Sequence, residues 1–528
     1  MKKYKTINMM MKKYLLTLAV VLCCAAANVL TACTNIDDNP TNADTETEKA
    51  DYTILYYGFG GETLDKYMLQ NMKEMYDAKL NSYDKVKIAA QYKYSSIEDI
   101  KENMIDPMVK EGTSQEEADA MYEKLKPFEL QTIRFVVDNT IKDPIDNVLL
   151  NTDNIYGPKN SYMTTVDSLK NFINWATEVC PAKKYILILS GHGESYITYM
   201  EFPYVKPAST RSLMPDNYKD PRSYFAASSL KYALSHTNSR MDAVYLDACS
   251  TNNIEYHFEL KDITDYLIMS TTWAPDRGGV YDVLIDHLAQ NTADLEPALV
   301  NYNKDCVAIW DIDKAKMAEA GITDYELYYH DMSVIRTCDL DAFGNKFKEF
   351  VDRLVAAYAN KDNKAKIDAV TQNALKVMPC YPSYDLKDYT TAIMTALPDV
   401  FDQGFANELL EKFDNCIASR YCNDVLMKKN IQINCSVMMG VKGSIYVTFF
   451  ENTDYSQIEF YDNVFADGKV EYYEAGQIEP VETFFIDATL ENTYQQLTFD
   501  KVTGWSRWLY LNEQIPNLYY MNDRLINR

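Results

Sequence analysis

The sequence predicts an α/β protein with a mostly parallel central sheet covered by helices on both faces, followed by a mixed, helix-rich subdomain. From residue 51 to about residue 337, short apolar runs alternate with stretches of helical periodicity, which is typical of parallel strands joined by crossover helices. Beyond residue 337 helical periods dominate. The 528 residues are 47% hydrophobic and 24% charged, as expected for a globular protein of two or three domains.

Six buried strands are predicted in the first part of the chain, because each is a short apolar run bounded by turn residues. In chain order they are 52–57, 86–92, 132–138, 184–190, 242–247 and 265–270. Between them, apolar residues recur at helical spacing in 62–80, 166–179, 228–236 and 254–260. This order predicts one α/β domain over residues 51–337.

The remaining chain is predicted to be a mixed α/β subdomain over residues 338–528. Its helical periods are 340–359, 364–377, 387–397, 405–421 and 493–508. Two runs with the character of strands, 431–438 and 444–450, lie between the last two helices.

The N-terminus has the pattern of a bacterial lipoprotein signal over residues 1–32. Lys12 and Lys13 precede the apolar run 15–27, and the run leads to Leu30-Thr31-Ala32-Cys33. In that motif the cysteine is acylated, so Cys33 is the predicted lipidation site, followed by an acidic tether over residues 33–50. We therefore expect a lipid-anchored protein of the outer membrane or cell surface of a Gram-negative bacterium. A single transmembrane anchor over 15–32 is the alternative.

Charge and cysteine content exclude several functions. The chain has 52 basic and 77 acidic residues, a net charge of −25, which repels nucleic acid and attracts cationic peptides. Three of the 11 cysteines lie in or end the signal, and the other eight form no CxxC pair, which argues against a disulfide scaffold. No zinc-binding spacing and no complete EF-hand loop occurs, so no metal site is predicted.

Two predicted strands end in turns that carry reactive side chains. Residues 184–190 lead into Gly191-His192-Gly193, and residues 242–247 lead into Ala248-Cys249. If these strands are parallel neighbours, about 4.8 Å apart, both turns lie at one edge of the sheet. A thiolate beside an imidazole can perform acyl transfer, and the backbone N–H groups of Gly193 and Cys249 are candidate oxyanion donors. The alternative is a buried structural cysteine and an ordinary histidine.

These two stretches also carry a family resemblance. Residues 185–193 (YILILSGHG) and 242–255 (DAVYLDACSTNNIE) resemble the histidine and cysteine motifs of clostripain-like cysteine peptidases. Further matches occur at 52–57, 265–270, 278–281 and 494–505, so the resemblance spans most of the mature chain and is strongest from 184 to 282. The resemblance implies a caspase-like α/β/α sandwich, with Cys249 as nucleophile and His192 as general acid and base. Glu194-Ser195 and Ser250-Thr251 depart from the usual residues of the family.

The resemblance further implies an endopeptidase that cleaves after Arg or Lys. An acidic residue then lies at the base of the specificity pocket, and Asp247 occupies that position. Asp247 as a helix N-cap is the alternative, and Asp276 is a second acidic candidate. Some relatives self-process between the catalytic turns, so within 200–225 we predict cleavage after Arg211. Calcium dependence occurs among relatives, but the sequence names no ligands, and no cofactor is predicted.

Two other functions stay open at this point. The chain could be a peptidase-like scaffold without activity that serves as a binding module on the cell surface. Alternatively, Gly58-Phe59-Gly60-Gly61 follows a strand and opens a helix, as in dinucleotide-binding proteins. Thr63 stands where that fingerprint requires its third glycine, so the match is incomplete.

Overall fold

The central sheet of the computed structural model contains eight strands in the part of the chain that the structure describes. The structure describes residues 49–193, 213–216, 218, 223–225, 227–319, 330–374, 377, 383–422, 433–439, 469–472, 482–485 and 497–512. The strands in these ranges are β1 (Ala50–Phe59), β2 (Val86–Lys93), β3 (Thr132–Val136), β4 (Ala182–Ser190), β5 (Leu213–Asp216), β6 (Ser223–Phe225), β7 (Ala243–Asp247), β8 (Tyr266–Met269), β9 (Asp331–Arg336), β10 (Ser383–Asp385), β11 (Ile417–Cys422), β12 (Ser436–Met438), β13 (Lys469–Tyr472) and β14 (Glu482–Phe485).

Five neighbouring strands of the sheet, from β8 through β7, β4 and β1 to β2, are parallel. Antiparallel strands close both sides, with β3 on β2 at one side and β9 and then β11 beyond β8 at the other. The inner strands are buried on both faces, which explains why they are continuous apolar runs in the sequence. The remaining strands form three separate two-stranded ladders, β5 with β6, β10 with β12, and β13 with β14.

Two hydrophobic cores lie on opposite faces of the sheet. Along β1, Leu55 and Tyr57 belong to one core, whereas Ile54 and Tyr56 belong to the other, as expected for the two-residue period of a strand. The α-helices in the described ranges are Asp65–Glu74, Ile97–Ile100, Asp106–Lys110, Gln115–Leu125, Val166–Val179, Ala227–Ser235, Ile254–Leu260, Tyr281–Gln290, Leu295–Glu319, Leu340–Tyr358, Lys361–Asn373, Leu386–Ala396, Gln403–Asn415, Thr498–Thr503 and Trp505–Leu511. The predicted fold class, an α/β/α sandwich around a mostly parallel sheet, is confirmed.

The structure corrects three predicted helices. The helix predicted over 405–421 ends at Asn415, and the chain continues as β11, because Ile417–Cys422 pairs with the exposed edge of β9. The helix predicted over 493–508 is interrupted at Gly504, whose φ of +67° is left-handed. The helix predicted over 62–80 spans only Asp65–Glu74.

The predicted boundary near residue 337 stays a prediction, although the central sheet extends across it. β9 ends at Arg336, and its partner β11 comes from the C-terminal part of the chain. The described residues all belong to one compact unit that begins at Lys49. The predicted signal, and the tether up to residue 48, lie outside the described residues. Among the helices that the structure describes, none is both long and apolar enough to span a bilayer.

Candidate active site

The two reactive turns predicted from the sequence lie side by side at the carboxyl edge of the sheet. β4 and β7 are parallel neighbours, and Ser190 is in register with Asp247. His192 lies two residues after Ser190, and Cys249 lies two residues after Asp247. The two turns therefore begin at the same level of the sheet edge. The backbone N–H of Gly191 donates to the carbonyl oxygen of Asp247 at 3.3 Å, which extends the pairing past the strand ends.

Gly193 is the point at which the two turns touch. A Cβ atom built on Gly193 would lie 2.4 Å from the Cβ of Ala248 and 2.8 Å from the carbonyl oxygen of Cys249. It would also lie 3.2 Å from the backbone nitrogen of Cys249. Only glycine allows so close an approach of two backbones, so the residue between the turns is a packing requirement as well as a candidate oxyanion donor.

Cys249 is a partly exposed cysteine in a loop with an unusual backbone. Its Sγ lies 3.7 Å from the carbonyl oxygen of Ala274, which belongs to the loop after β8. The next residue, Ser250, has a φ of +55°, in the left-handed region that non-glycine residues seldom adopt. Its N–H donates to the carbonyl oxygen of Thr272 at 2.8 Å, and this bond ties the strained turn to the loop after β8.

His192 contacts the turn that follows β1. Its Nε2 lies 2.8 Å from the Oγ1 of Thr63, and its Cδ2 would lie 3.0 Å from a Cβ built on Gly61. The sequence interpretation treats Thr63 only as a missing fingerprint glycine and so misses this contact. The signal that could have found it is the adjacency of β1 to β4, where Gly58 pairs with Ser190.

Asp247 is buried, and its carboxylate accepts hydrogen bonds from four donors. Oδ2 accepts hydrogen bonds from the N–H of Gly279 at 3.0 Å, from the hydroxyl of Ser190 at 3.2 Å and from the hydroxyl of Tyr281. Oδ1 accepts a hydrogen bond from the hydroxyl of Tyr245 at 3.2 Å. Burial raises the pKa of the Asp247 carboxyl, and the hydrogen bonds oppose this rise because they stabilise the charged form. In this structure the acid predicted for the base of the pocket is already fully engaged by the protein.

The alternative role of Asp247 as a helix N-cap is wrong. The helix Ile254–Leu260 is capped by Asn253, whose side chain accepts from the N–H of Tyr256 at 3.0 Å. Asp247 lies before the turn that carries Cys249 and makes no such bond to the helix.

Asp276, the second acidic candidate, is exposed in the loop between β8 and the helix Tyr281–Gln290, although desolvation by the surrounding protein raises the pKa of its carboxyl. It lies two residues after Ala274, whose carbonyl contacts the sulfur of Cys249. The neighbouring cation, Arg277, is engaged elsewhere, since it forms ion pairs with Glu74 at 2.7 Å and with Asp313. No described cation forms an ion pair with Asp276 at the rim of the cysteine turn.

A buried polar network supports the loops from beneath. Asn252 accepts from Nε2 of His257 at 2.7 Å and donates to the hydroxyl of Thr271 at 2.8 Å. Asp331 accepts the N–H groups of Thr271 and Thr272 at 3.0 and 2.8 Å. Burial lowers the pKa of His257 to about 3, so the imidazole is neutral near pH 7. The network therefore holds the cysteine turn and the loop after β8 in one arrangement without a net charge on its histidine.

The glycines of 58–61 serve the close packing of the β1 turn. A Cβ built on Gly60 would lie 2.6 Å from the carboxylate oxygens of Asp65, the first residue of the following helix. This carboxylate is buried and accepts from Tyr92 at 2.5 Å and from the N–H of Ser95 at 3.2 Å. A negative group thus fills the helix N-terminus where a dinucleotide would place its pyrophosphate, which disfavours dinucleotide binding.

Other predicted features lie outside the described residues or stay untested. Cys33 and Arg211 belong to parts of the chain that the structure does not describe. Within the described ranges, no cluster of three or more His, Cys, Asp or Glu residues is arranged to hold a metal ion. The predicted oxyanion role of Gly193 and Cys249 and the calcium dependence stay predictions.

The profile of the clostripain family matches residues 56–484. One similar solved structure is a secreted C11 cysteine protease from Bacteroides thetaiotaomicron in complex with an irreversible peptide inhibitor. It is 16% identical in sequence to this chain, with a TM-score of 0.49, and the alignment covers 86% of this chain and 99% of that one. An inactive zymogen C11 protease from Parabacteroides distasonis is 14% identical with a TM-score of 0.46, covering 86% and 98%. No curated protein sequence gives a significant match.

Proposed function

Because this chain belongs to the clostripain family of cysteine peptidases, we propose that it is an endopeptidase with Cys249 as nucleophile and His192 as general acid and base. The observation that carries the proposal is the contact of Gly193 with Ala248 and Cys249, since it brings the two reactive turns together. The match over most of the chain and the partly exposed sulfur support the same conclusion.

The proposed reaction is acyl transfer through a thioester. The thiol of Cys249 gives its proton to His192, the sulfur bonds to the carbonyl carbon of the scissile peptide, and the carbonyl oxygen becomes an oxyanion beside Gly193. His192 protonates the leaving amine, and the C–N bond breaks. His192 then takes a proton from water, which attacks the thioester and releases the new carboxylate and the thiol.

Labelling with a basic acyloxymethyl-ketone peptide, followed by peptide mapping, tests this assignment. We expect the label on Cys249, and we expect Cys249→Ala to remove all cleavage of a Lys or Arg reporter peptide. Cys338 is exposed and offers a matched control, because Cys338→Ala is distant from the site in sequence and should keep activity. Absence of labelling and of turnover in the wild-type protein would favour the inactive binding scaffold.

For specificity we propose that Asp276, rather than Asp247, meets the basic side chain before the scissile bond. Asp276 is exposed in the loop that contacts Cys249. In contrast, both carboxylate oxygens of Asp247 accept hydrogen bonds from donors of the protein. A guanidinium or ammonium group gains most from a carboxylate that has no competing partner. Asp247 would then shape the pocket by holding Gly279 and Tyr281 in place.

Charge-neutral variants separate these roles. We expect Asp276→Asn to lower kcat/KM for Lys and Arg reporters about 10- to 100-fold, the usual effect of one charge-assisted hydrogen bond, with little change in stability. Asp262→Asn is the matched control, because this exposed aspartate precedes β8 at the opposite edge of the sheet. If Asp276→Asn cleaves basic reporters like wild type, Asp276 does not recognise the substrate.

We also propose self-cleavage after Arg211. β5 begins two residues later, and Leu213 and Met214 are fully buried, so the chain downstream of the cut would stay attached to the domain. N-terminal sequencing of purified protein should give a new end at Ser212, and neither Cys249→Ala nor Arg211→Ala should give it. A single N-terminus outside 200–225 in active enzyme would contradict the proposal.

We propose that Cys33 carries a lipid anchor at the cell envelope. The basic, apolar and Leu-Thr-Ala-Cys segments that precede the acidic stretch support this proposal. Labelling of cells with a radioactive fatty acid should mark the wild-type protein but not Cys33→Ser, and the latter should partition into the aqueous phase.

A further inference from the structure

We propose that Thr63 is a positioning residue for His192, and this inference rests on the proposed function. Its hydroxyl oxygen lies 2.8 Å from Nε2 of His192, which is an ordinary hydrogen-bond distance. Thr63 comes from the turn after β1, so the contact connects a third strand end to the two reactive turns. A base that is itself oriented by a third group is a recurring requirement of nucleophilic catalysis.

The turn that carries Thr63 is held rigidly beside the imidazole. Gly61 and Glu62 have φ values of +52° and +77°, both in the left-handed region. The N–H of Glu62 donates to the hydroxyl of Ser95 at 3.0 Å, and its carbonyl accepts from Asn103 at 3.2 Å. A non-glycine residue in this region is strained, and these two bonds from the next strand connection hold it in place.

Gly61 supplies the room that the imidazole needs. A Cβ at this position would lie 3.0 Å from Cδ2 of His192, closer than side-chain atoms normally approach. The glycine therefore permits the ring to reach Thr63, and Thr63 then determines its rotation. Gly61 and Thr63, both in the turn after β1, therefore determine together where the imidazole ring of His192 lies.

The contact assigns different tasks to the two ring nitrogens. With Nε2–H donating to the hydroxyl of Thr63, Nδ1 is the nitrogen that exchanges protons with the leaving amine and the water. The same bond strengthens when the ring is protonated, because a charged donor binds a neutral acceptor more strongly. Thr63 thus favours the imidazolium form of His192 that the leaving-group step requires.

The test compares Thr63→Val, which keeps the shape but lacks the hydroxyl, with Thr63→Ser, which retains it. We expect Thr63→Val to lower kcat about tenfold or more with KM unchanged, and to move the alkaline limb of the pH–kcat profile to lower pH. Thr63→Ser should stay within about threefold of wild type. Thr391→Val, at an exposed helical threonine, is the matched control and should have no effect. If Thr63→Val does not fold, Thr63→Ala replaces it.

Unchanged kcat and pH profile in Thr63→Val would overturn the proposal, and so would an equal loss in Thr63→Ser. Alkylation of Cys249 by iodoacetamide separates this result from a failure of the proposed function, because it needs no substrate turnover. Even if wild type cleaves no reporter, the pH midpoint of alkylation should rise in Thr63→Val, since a weaker imidazolium stabilises the thiolate less. No shift of the midpoint would refute the role of Thr63.

Discussion

Single residues decide how closely the reactive groups approach each other. The sequence places His192 and Cys249 after two strands, but their separation depends on Gly193, whose missing side chain lets the turns touch. A difference of 1 Å in such a contact is enough to misalign a nucleophile and an acid. A substitution of Gly193 should therefore change the catalytic activity measurably.

We expect Gly193→Ala to lower kcat/KM about 100-fold, because the added Cβ would lie 2.4 Å from the Cβ of Ala248 and must push the turns apart. Gly404→Ala is the matched control. Its Cβ would meet only a side-chain oxygen of Asp402 at 3.1 Å, and its helical backbone favours alanine. Kinetics with a basic reporter peptide measure both, and equal activities of the two variants would show that the close contact is dispensable.

Asp247 illustrates what a local sequence pattern omits. Its position two residues before the cysteine is visible in the sequence and predicts a carboxylate near the nucleophile. The donors that occupy the carboxylate come from Ser190 on β4 and from Gly279 and Tyr281, more than 30 residues downstream. Hydrogen bonds between such distant parts of the chain have no local signature, so its engagement could not be predicted.

At the scale of elements, the short strand β5 connects His192 to a buried ion pair. The N–H of Met214 donates to the carbonyl oxygen of His192 at 2.8 Å. Two residues later, Asp216 pairs with Lys93 at 2.7 Å, and both side chains are 0% exposed. Lys93 also donates to Asn160 at 2.8 Å. β5 thus anchors the backbone of His192 to the end of β2.

We expect Asp216→Asn to reduce the free energy of unfolding by about 3 kcal/mol, because it leaves the buried ammonium group of Lys93 without its counter-charge. Asp106→Asn is the matched control. Asp106 pairs with Lys101 at side-chain exposures of 42% and 51%, where the cost is below about 1 kcal/mol. Urea denaturation measures the free energy of unfolding of both variants. Similar losses in Asp216→Asn and Asp106→Asn would mean that burial does not strengthen the Asp216–Lys93 pair.

Most elements were predictable where one periodicity governs the whole segment. The helices Val166–Val179 and Ile254–Leu260 have the predicted bounds, and the inner strands differ by one or two residues at their ends. The strand Ile417–Cys422 was missed because its character comes from pairing with β9 rather than from its own sequence. Tertiary pairing overrides a weak local preference at such an edge.

For the whole molecule, one buried polar network connects the loop after the cysteine turn with the loop after β8. His257 lies beneath the cysteine turn, bonded to Asn252 and surrounded by core residues. Burial lowers its pKa from 6.5 to about 3, so the folded protein binds a proton there less readily than the unfolded chain. Its contribution to stability is complete above pH 6.5 and is lost progressively as the pH falls toward 3.

We expect His257→Gln to reduce the pH dependence of the free energy of unfolding between pH 6.5 and 3, by about 5 kcal/mol over the full range. The glutamine amide can still donate to Asn252. His236→Gln is the matched control, because His236 is exposed. Urea denaturation at several pH values gives the slope of the free energy of unfolding against pH for each variant. If His257→Gln has the same slope as wild type, other groups cause the acid sensitivity.

The sequence by itself determined the sandwich architecture, the parallel inner strands and the positions of the two reactive turns, because apolar periodicity and strand-end motifs are local properties of the chain. Only the tertiary structure decided that Thr63 reaches His192, that Asp247 is engaged by four donors and that Asp276 stays exposed. Those relations depend on which strands become neighbours and on what folds over their ends. The burial of Asp247 and the donors that surround its carboxylate follow from this arrangement.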